Sequence, residues 1–169
     1  QLKYLKDIID CKSVIVWGRN KNSLKKYKDY FSNSNYNITI TTDINKIMER
    51  CQLIVTCTPT ESPIITKVNP GTHITAMGSD TLTKQEVSSS ILSQADIVVA
   101  DSRSQCEHRG EIHQAIKGGF SMKEVVEIGE IIQGKVKGRM NDEQITIADH
   151  TGVAVQDIQI SKAVLKYLN

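Results

Sequence analysis

The sequence predicts an α/β fold, a doubly wound (Rossmann-type) parallel sheet covered by helices. Two observations predict it. Short runs that are apolar at every position, such as Val14-Ile15-Val16-Trp17 and Ile97-Val98-Val99-Ala100, recur along the chain; strands buried on both faces read this way. Between them lie segments with apolar residues at helical spacing, and this alternation of strand and helix builds parallel sheets. A chain of 169 residues that is 39% hydrophobic and 24% charged has enough material for an ordinary core.

The elements follow in order. Leu2, Leu5, Ile8 and Ile9 recur at helical spacing, so a helix is expected over Gln1 to Ile9, entered without an N-cap. Ser13 to Trp17 is a buried strand ended by Gly18-Arg19-Asn20, Asn22 to Phe31 a helix, and Ser32 to Asn35 a loop. Ile38-Thr39-Ile40 is a short strand. Asp43 is an N-cap for a helix through Arg50. Leu53 to Cys57 is the next buried strand, broken by Thr58-Pro59-Thr60. Pro63 and Asn69-Pro70-Gly71 punctuate the way to a strand at His73 to Ala76. Ser88 to Gln94 is a helix, Ile97 to Ala100 a strand, and Glu107 to Ile116 a helix that Gly118-Gly119 ends. Ser121-Met122-Lys123-Glu124 has the form of a capping box, opening a helix through Ile132. Ile145 to Ala148 is a last strand and Ala154 to Leu168 a last helix.

One element is missing from this pattern. A dinucleotide-binding sheet opens with a strand and a G-x-G-x-x-G turn, and none of the ten glycines makes that motif. The chain is therefore expected to be one partial dinucleotide-binding domain, residues 1–169, without its first strand and phosphate loop. That strand is central in the usual order, so the sheet should be split or poorly held.

Composition narrows the function classes. The net charge of +2 is scattered, and its densest run, Lys21 to Lys28, lies on a helix without interleaved aromatics, so no nucleic-acid partner is expected. No apolar run approaches the roughly 18 residues of a membrane span, and no signal-peptide pattern opens the chain. Cys11, Cys51, Cys57 and Cys106 form no C-x-x-C pair; reduced thiols in a cytoplasmic protein are expected. The histidines do not join them at ligand spacings, so no metal site is expected.

The stretch that carries chemistry is Thr75 to Glu86, where a strand ends in Gly78-Ser79-Asp80. In open parallel sheets ligands bind beyond the carboxyl ends of the strands, so Asp80 stands where rigid backbone holds a reactive carboxylate. Its plainer reading is a cap for the following turn. Arg19 follows the first strand where NAD enzymes usually place an acid and NADP enzymes an Arg for the 2′-phosphate. Gly18-Arg19-Asn20 holds no acid, which favours NADP(H) while leaving NAD(H) open.

Four stretches give the chain a resemblance: Val16-Trp17-Gly18-Arg19-Asn20, Thr56-Cys57-Thr58-Pro59-Thr60, the G-x-D-x-x-x-K-x-E run from Gly78 to Glu86, and Ala148 to Asp157. With them it resembles the ornithine cyclodeaminase/μ-crystallin family over nearly its whole length. Ser102 to Glu111 is similar to the branch related to ectoine utilisation. The resemblance implies an NAD(P)-dependent enzyme acting on an amino acid or its imine, by cyclodeamination or by ketimine reduction. It implies Asp80 as the catalytic acid/base. It also implies Arg19, Asn20, Thr58, Met77, Gly78, Ser79, Lys84 and His150 as cofactor contacts, with Thr151 near the substrate. His150 departs from the ornithine enzyme, which has Ser there. A full-length homodimer is implied too, with the substrate-carboxylate clamp in an N-terminal domain that this chain lacks. The last helix, about 154–169, would pack toward that domain, and the chain alone would be inactive. The alternatives are a μ-crystallin-like NADP(H)-dependent binding protein, against which Asp80 counts, and a domain using S-adenosylmethionine.

Overall fold

The computed structural model describes residues 2–168, which fall into two compact units, one ending at Cys51 and one starting at Gln52.

In the first unit, β1 (Ser13–Trp17) pairs in parallel with β2 (Asn37–Thr41), Val14 opposite Ile38 and Trp17 opposite Thr41. Helix α2 (Lys21–Tyr30) joins them; the Asn20 side chain accepts the N–H groups of Asn22 and Ser23 at 2.9 and 3.1 Å, which fixes its start. Leu24 of α2 is buried, as are Ile47 and Met48 of α3 (Asn45–Arg50). The Asp43 carboxylate accepts the Asn45 N–H at 3.0 Å, close to its expected capping role. The opening helix is shorter than its periodicity suggests. α1 is Leu2–Leu5, a single turn burying nothing, while Gln1 lies outside the described residues. An uncapped turn with no apolar surface to cover does not propagate.

The second unit holds the larger sheet: β3 (Leu53–Thr56), β4 (His73–Ala76), β5 (Ile97–Ala100), β6 (Val125–Glu127) and β7 (Thr146–Asp149), in the order β3-β4-β7-β5-β6, every pairing parallel. The expected split in the sheet is present: among the described residues no strand joins β1 and β2 to these five. Ile54, Ile74, Val98 and Ile147 lie buried along the strands, with Ile91 and Leu92 of α4 (Ser89–Gln94) and Ile112 of α6 (Gly110–Lys117) buried in the same core.

Two sequence expectations need correction here. The helix expected over Glu107 to Ile116 starts later, as α6 at Gly110, whose φ of 91° is open to glycine and strained for other residues; a separate short helix, α5 (Arg103–Cys106), and a turn through Arg109 precede it. The Ser121 box does not open a helix through Ile132. Ser121 caps only a 3₁₀ turn, Met122–Glu124; Val125–Glu127 then forms β6 on the edge of β5, and α7 (Ile128–Ile132) starts after it. Val125 and Val126 fit a pleated edge better than a helix, and Val125 is 1% exposed. The reciprocal box belongs to Glu127 and Glu130 instead. The last helix, α8 (Ala154–Leu168), is where it was expected but buries no residue; Asn169 lies outside the described residues. No helix among them is long and apolar enough to cross a membrane.

Candidate functional site

The parallel register sets the strand ends in one row: Thr56 beside Ala76, Ala76 beside Asp149, Asp149 beside Ala100, Ala100 beside Glu127. The loops leaving this row carry Thr58, Met77 to Lys84, and His150 to Gly152. They have little backbone pairing of their own, and carboxylates tie them down.

Glu86 is fully buried and clamps two loops together. Its Oε1 accepts the Thr58 N–H at 2.5 Å, and its Oε2 accepts the Gly78 N–H at 2.8 Å. A Cβ on Gly78 would lie 2.4 Å from that Oε2 and 2.4 Å from the Thr58 carbonyl oxygen, so the clamp itself demands glycine here. Glu111, also fully buried, is the second clamp: it accepts the Glu86 N–H at 2.7 Å, the Val87 N–H at 3.0 Å and the Ser79 hydroxyl. Burial pushes its carboxyl up, against the pull of these donors. Asp149, at the end of β7, accepts the Ile112 N–H at 2.9 Å and so caps α6. Its carboxyl is held well above the usual range by burial, with Glu111 and Asp101 adding like charge. Asp101 gathers the last loop, accepting from the Thr151 hydroxyl at 3.1 Å and the Gly152 N–H at 2.8 Å. Beside it the Cys106 thiol is pushed up to about 12, by burial first and then by Asp149 and Asp101. It is a core group with no thiolate chemistry to offer.

Asp80 stands apart from this network. It follows β4, is exposed, and pairs with Lys84 Nζ at 2.7 Å. The hydrogen bond from Lys84 holds its carboxyl below the ordinary range, aided by the Lys84 charge and by Arg109. Asp80 caps no helix: among the described residues the next one, α4, starts at Ser89. Asp80, Thr81, Leu82, Thr83, His108 and Arg109 line an open depression of about 480 Å³.

The other sequence-predicted residues divide by what their side chains already do. The Asn20 side chain caps α2, the Ser79 hydroxyl is given to Glu111, and the Thr151 hydroxyl is given to Asp101 and accepts from Gln105 at 2.9 Å. The Ser79 and Thr151 hydroxyls are thus engaged within the protein, while Asn20, capping through Oδ1, keeps its side-chain NH2 for a ligand. Arg19 is exposed just past β1. Met77 is 38% exposed. The Thr58 hydroxyl is buried without a hydrogen-bond partner, which leaves it a hydroxyl to satisfy. His150 is tied through its backbone N–H to the Ala76 carbonyl at 2.9 Å. Sequence reasoning passed over Glu86, Glu111 and Asp149 as site-building groups. One signal was available: Glu111 shares the buried face of α6 with Ile112 and Ala115, a carboxylate where an apolar residue is expected.

Fold and strand-end loops together define a doubly wound α/β protein with its ligand edge at the carboxyl ends of the strands. The family model for the ornithine cyclodeaminase/mu-crystallin family matches residues 1–168, and the chain belongs to that family. It is 38% identical over 168 residues to an alanine dehydrogenase of Archaeoglobus fulgidus, covering 97% of this chain and 51% of that protein. A solved archaeal alanine dehydrogenase dimer with bound NAD superimposes with a TM-score of 0.90 at 35% identity, over 98% of this chain and 52% of that one. The iminosuccinate reductase of Paracoccus denitrificans, solved with NAD+, gives 0.90 at 29% identity, over 98% and 52%. The chain thus spans about half the length of the relatives it matches.

Proposed function

We propose that this chain is the cofactor-binding portion of an NAD(P)-dependent enzyme that forms or reduces the imine of an amino acid. The observation that carries the reading is Asp80, an exposed carboxylate fixed just beyond a strand end and held ionised by Lys84.

The residues present suit one part of a dinucleotide. In the second unit Thr58 offers a buried hydroxyl with no partner and Met77 an exposed face beside Gly78; in the first unit, taken by itself, Arg19 offers an exposed guanidinium suited to bidentate phosphate contact. No glycine-rich phosphate loop is among them. When bound, the nicotinamide exchanges a hydride with the substrate α-carbon. Asp80 does the proton work: ionised, it takes a proton from the substrate ammonium so that a neutral amine loses hydride, and it returns that proton when an imine is reduced. Lys84 keeps Asp80 ionised between turnovers, and so free to accept a proton, as a weaker base than an unpaired carboxylate. NADP(H) is the preferred nucleotide in this reading, through Arg19. The whole gene product acts as a homodimer in the cytoplasm, and α8, with Val155, Ile158 and Val164 exposed, packs against its N-terminal part. Without that part the chain does not turn over.

Fluorescence titration of the full-length gene product with NADPH and with NADH, for wild type and Arg19→Ala, tests the reading. Preference for NADPH that Arg19→Ala abolishes is expected. Failure to bind either nucleotide would overturn it.

A further inference from the structure

The depression that contains Asp80 has a second charged wall. Arg109, in the turn between α5 and α6, lines it together with His108, while Leu82 and the Thr81 and Thr83 side chains form the rest. Among the described residues Arg109 makes no ion pair, whereas Asp80 already has Lys84 at 2.7 Å. With Asp80 paired to Lys84, Arg109 brings to the depression a positive charge on a planar fork of donors, while the Glu61 carboxylate is engaged by the hydroxyl of Thr83, another lining residue, at 2.8 Å. Arg109 is near enough for its charge to be felt at Asp80. Gly110 follows it, with φ at 91° and a Cβ position only 2.6 Å from the buried Asp149 carboxylate. The Ile112 N–H donates to that carboxylate at 2.9 Å, which ties the start of α6, just after Arg109, to the end of β7, although the Arg109 side chain is exposed.

We propose that Arg109 is a specificity-determining residue that receives a second carboxylate of the substrate, so that the enzyme handles a dicarboxylic amino acid and its imine. This rests on the imine reading above and names its substrate class. A bidentate carboxylate on Arg109 gains two charge-assisted hydrogen bonds. A substrate with an amino group in place of that carboxylate would bring like charge to Arg109 and be rejected. Leu82 covers the methylene between the two ends. A nucleotide phosphate would suit the same guanidinium, and the nucleotide affinity of the Arg109 variant distinguishes the two. The substrate amine, being cationic before deprotonation, fits next to Asp80 while the far carboxylate fits Arg109.

The test uses the full-length gene product with the better nucleotide. Imine reduction is followed with iminosuccinate, formed from oxaloacetate and ammonium, with the imine of pyruvate, and with the cyclic imine of ornithine. Wild type should favour the dicarboxylic imine at least tenfold in kcat/KM. Arg109→Gln should lower that preference by about 10–100-fold, mainly through KM, the value of a lost charged hydrogen-bond pair. Arg109→Glu should reverse it toward substrates with a cationic end. A preference that moves less than threefold, or wild type favouring the ornithine-derived imine, overturns the proposal. So does nucleotide affinity falling in Arg109→Gln as far as dicarboxylate affinity, which would assign Arg109 to phosphate. Calorimetry with succinate separates this from the parent reading. If no imine is turned over yet wild type binds succinate and Arg109→Gln does not, the anion site stands and the catalytic reading falls. If wild type binds no succinate, the anion site falls.

Discussion

Glu111 and Asp80 are both carboxylates beyond the strand ends, yet their surroundings give them opposite work. Glu111 is fully buried, accepts three donors from two loop segments, and has its carboxyl raised by burial. Asp80 is exposed, meets one lysine, and has its carboxyl lowered by it. A buried carboxylate surrounded by backbone N–H groups organises polypeptide. An exposed one, paired with a single lysine, keeps its oxygens open to solvent. The comparison teaches that position at a sheet's ligand edge does not by itself make a carboxylate reactive; its hydrogen-bond partners decide.

Substitutions should separate the two roles. The largest effect is on chemistry: Asp80→Asn should lower kcat of the full-length gene product by about 10²–10⁴-fold, with the urea midpoint almost unmoved, as for other exposed sites. A large stability loss with little loss of kcat would show Asp80 to be a structural group like Glu111. Conversely, Glu111→Ala should cost about 3–5 kcal/mol of unfolding free energy by leaving buried donors without an acceptor. Chemical denaturation measures it, and a loss under 1 kcal/mol would show that water replaces the clamp.

Gly78→Ala should cost about 1–3 kcal/mol, because the added methyl must displace either the Glu86 carboxylate or the Thr58 carbonyl. An unchanged thermal midpoint would mean that both loops give way freely. The smallest effect is the response to pH. Burial raises the Glu111 and Asp149 carboxyls, so the folded protein holds protons that the unfolded chain has released. Their favourable contribution is complete below the ordinary carboxylate range and is lost as pH rises through the raised values. The thermal midpoint of wild type should therefore fall, relative to the Glu111→Gln/Asp149→Asn double variant, as pH is raised from the ordinary carboxylate range. Asp80 acts in the opposite sense: its contribution is present above its unfolded pKa and is lost as pH falls, and exposure keeps it small. A wild-type midpoint that rises against the double variant would contradict the raised carboxyls.

Much of the fold was legible because parallel strands announce themselves. Ser13–Trp17, His73–Ala76 and Ile97–Ala100 are where their apolar runs put them. The position of Asp80 just past the end of β4 was legible because a strand end, a glycine and an acid are local in sequence. The misreadings came where local chemistry allowed two outcomes. Ser121-Met122-Lys123-Glu124 does cap a turn, but β5 offers Val125 and Val126 an open edge, and pairing there wins over helix extension. Glu107 to Arg109 carry on the helical periodicity but form a turn, and α6 starts only at Gly110, whose φ of 91° and neighbouring Asp149 carboxylate leave no room for a side chain.

The chain's own residue order determined the alternation of strand and helix, the parallel pairing, and the placing of Asp80 and Lys84 four positions apart, within reach of an ion pair. Those follow from periodicity and short-range chemistry. Only the tertiary structure decided which acids are buried. Glu86 reaches back 28 residues to Thr58, Glu111 reaches 25 to Glu86, and Asp149 reaches 37 to Ile112. No local pattern encodes such contacts. They arise because a parallel sheet brings the ends of distant strands into one row, where the loops above it leave N–H groups that need acceptors.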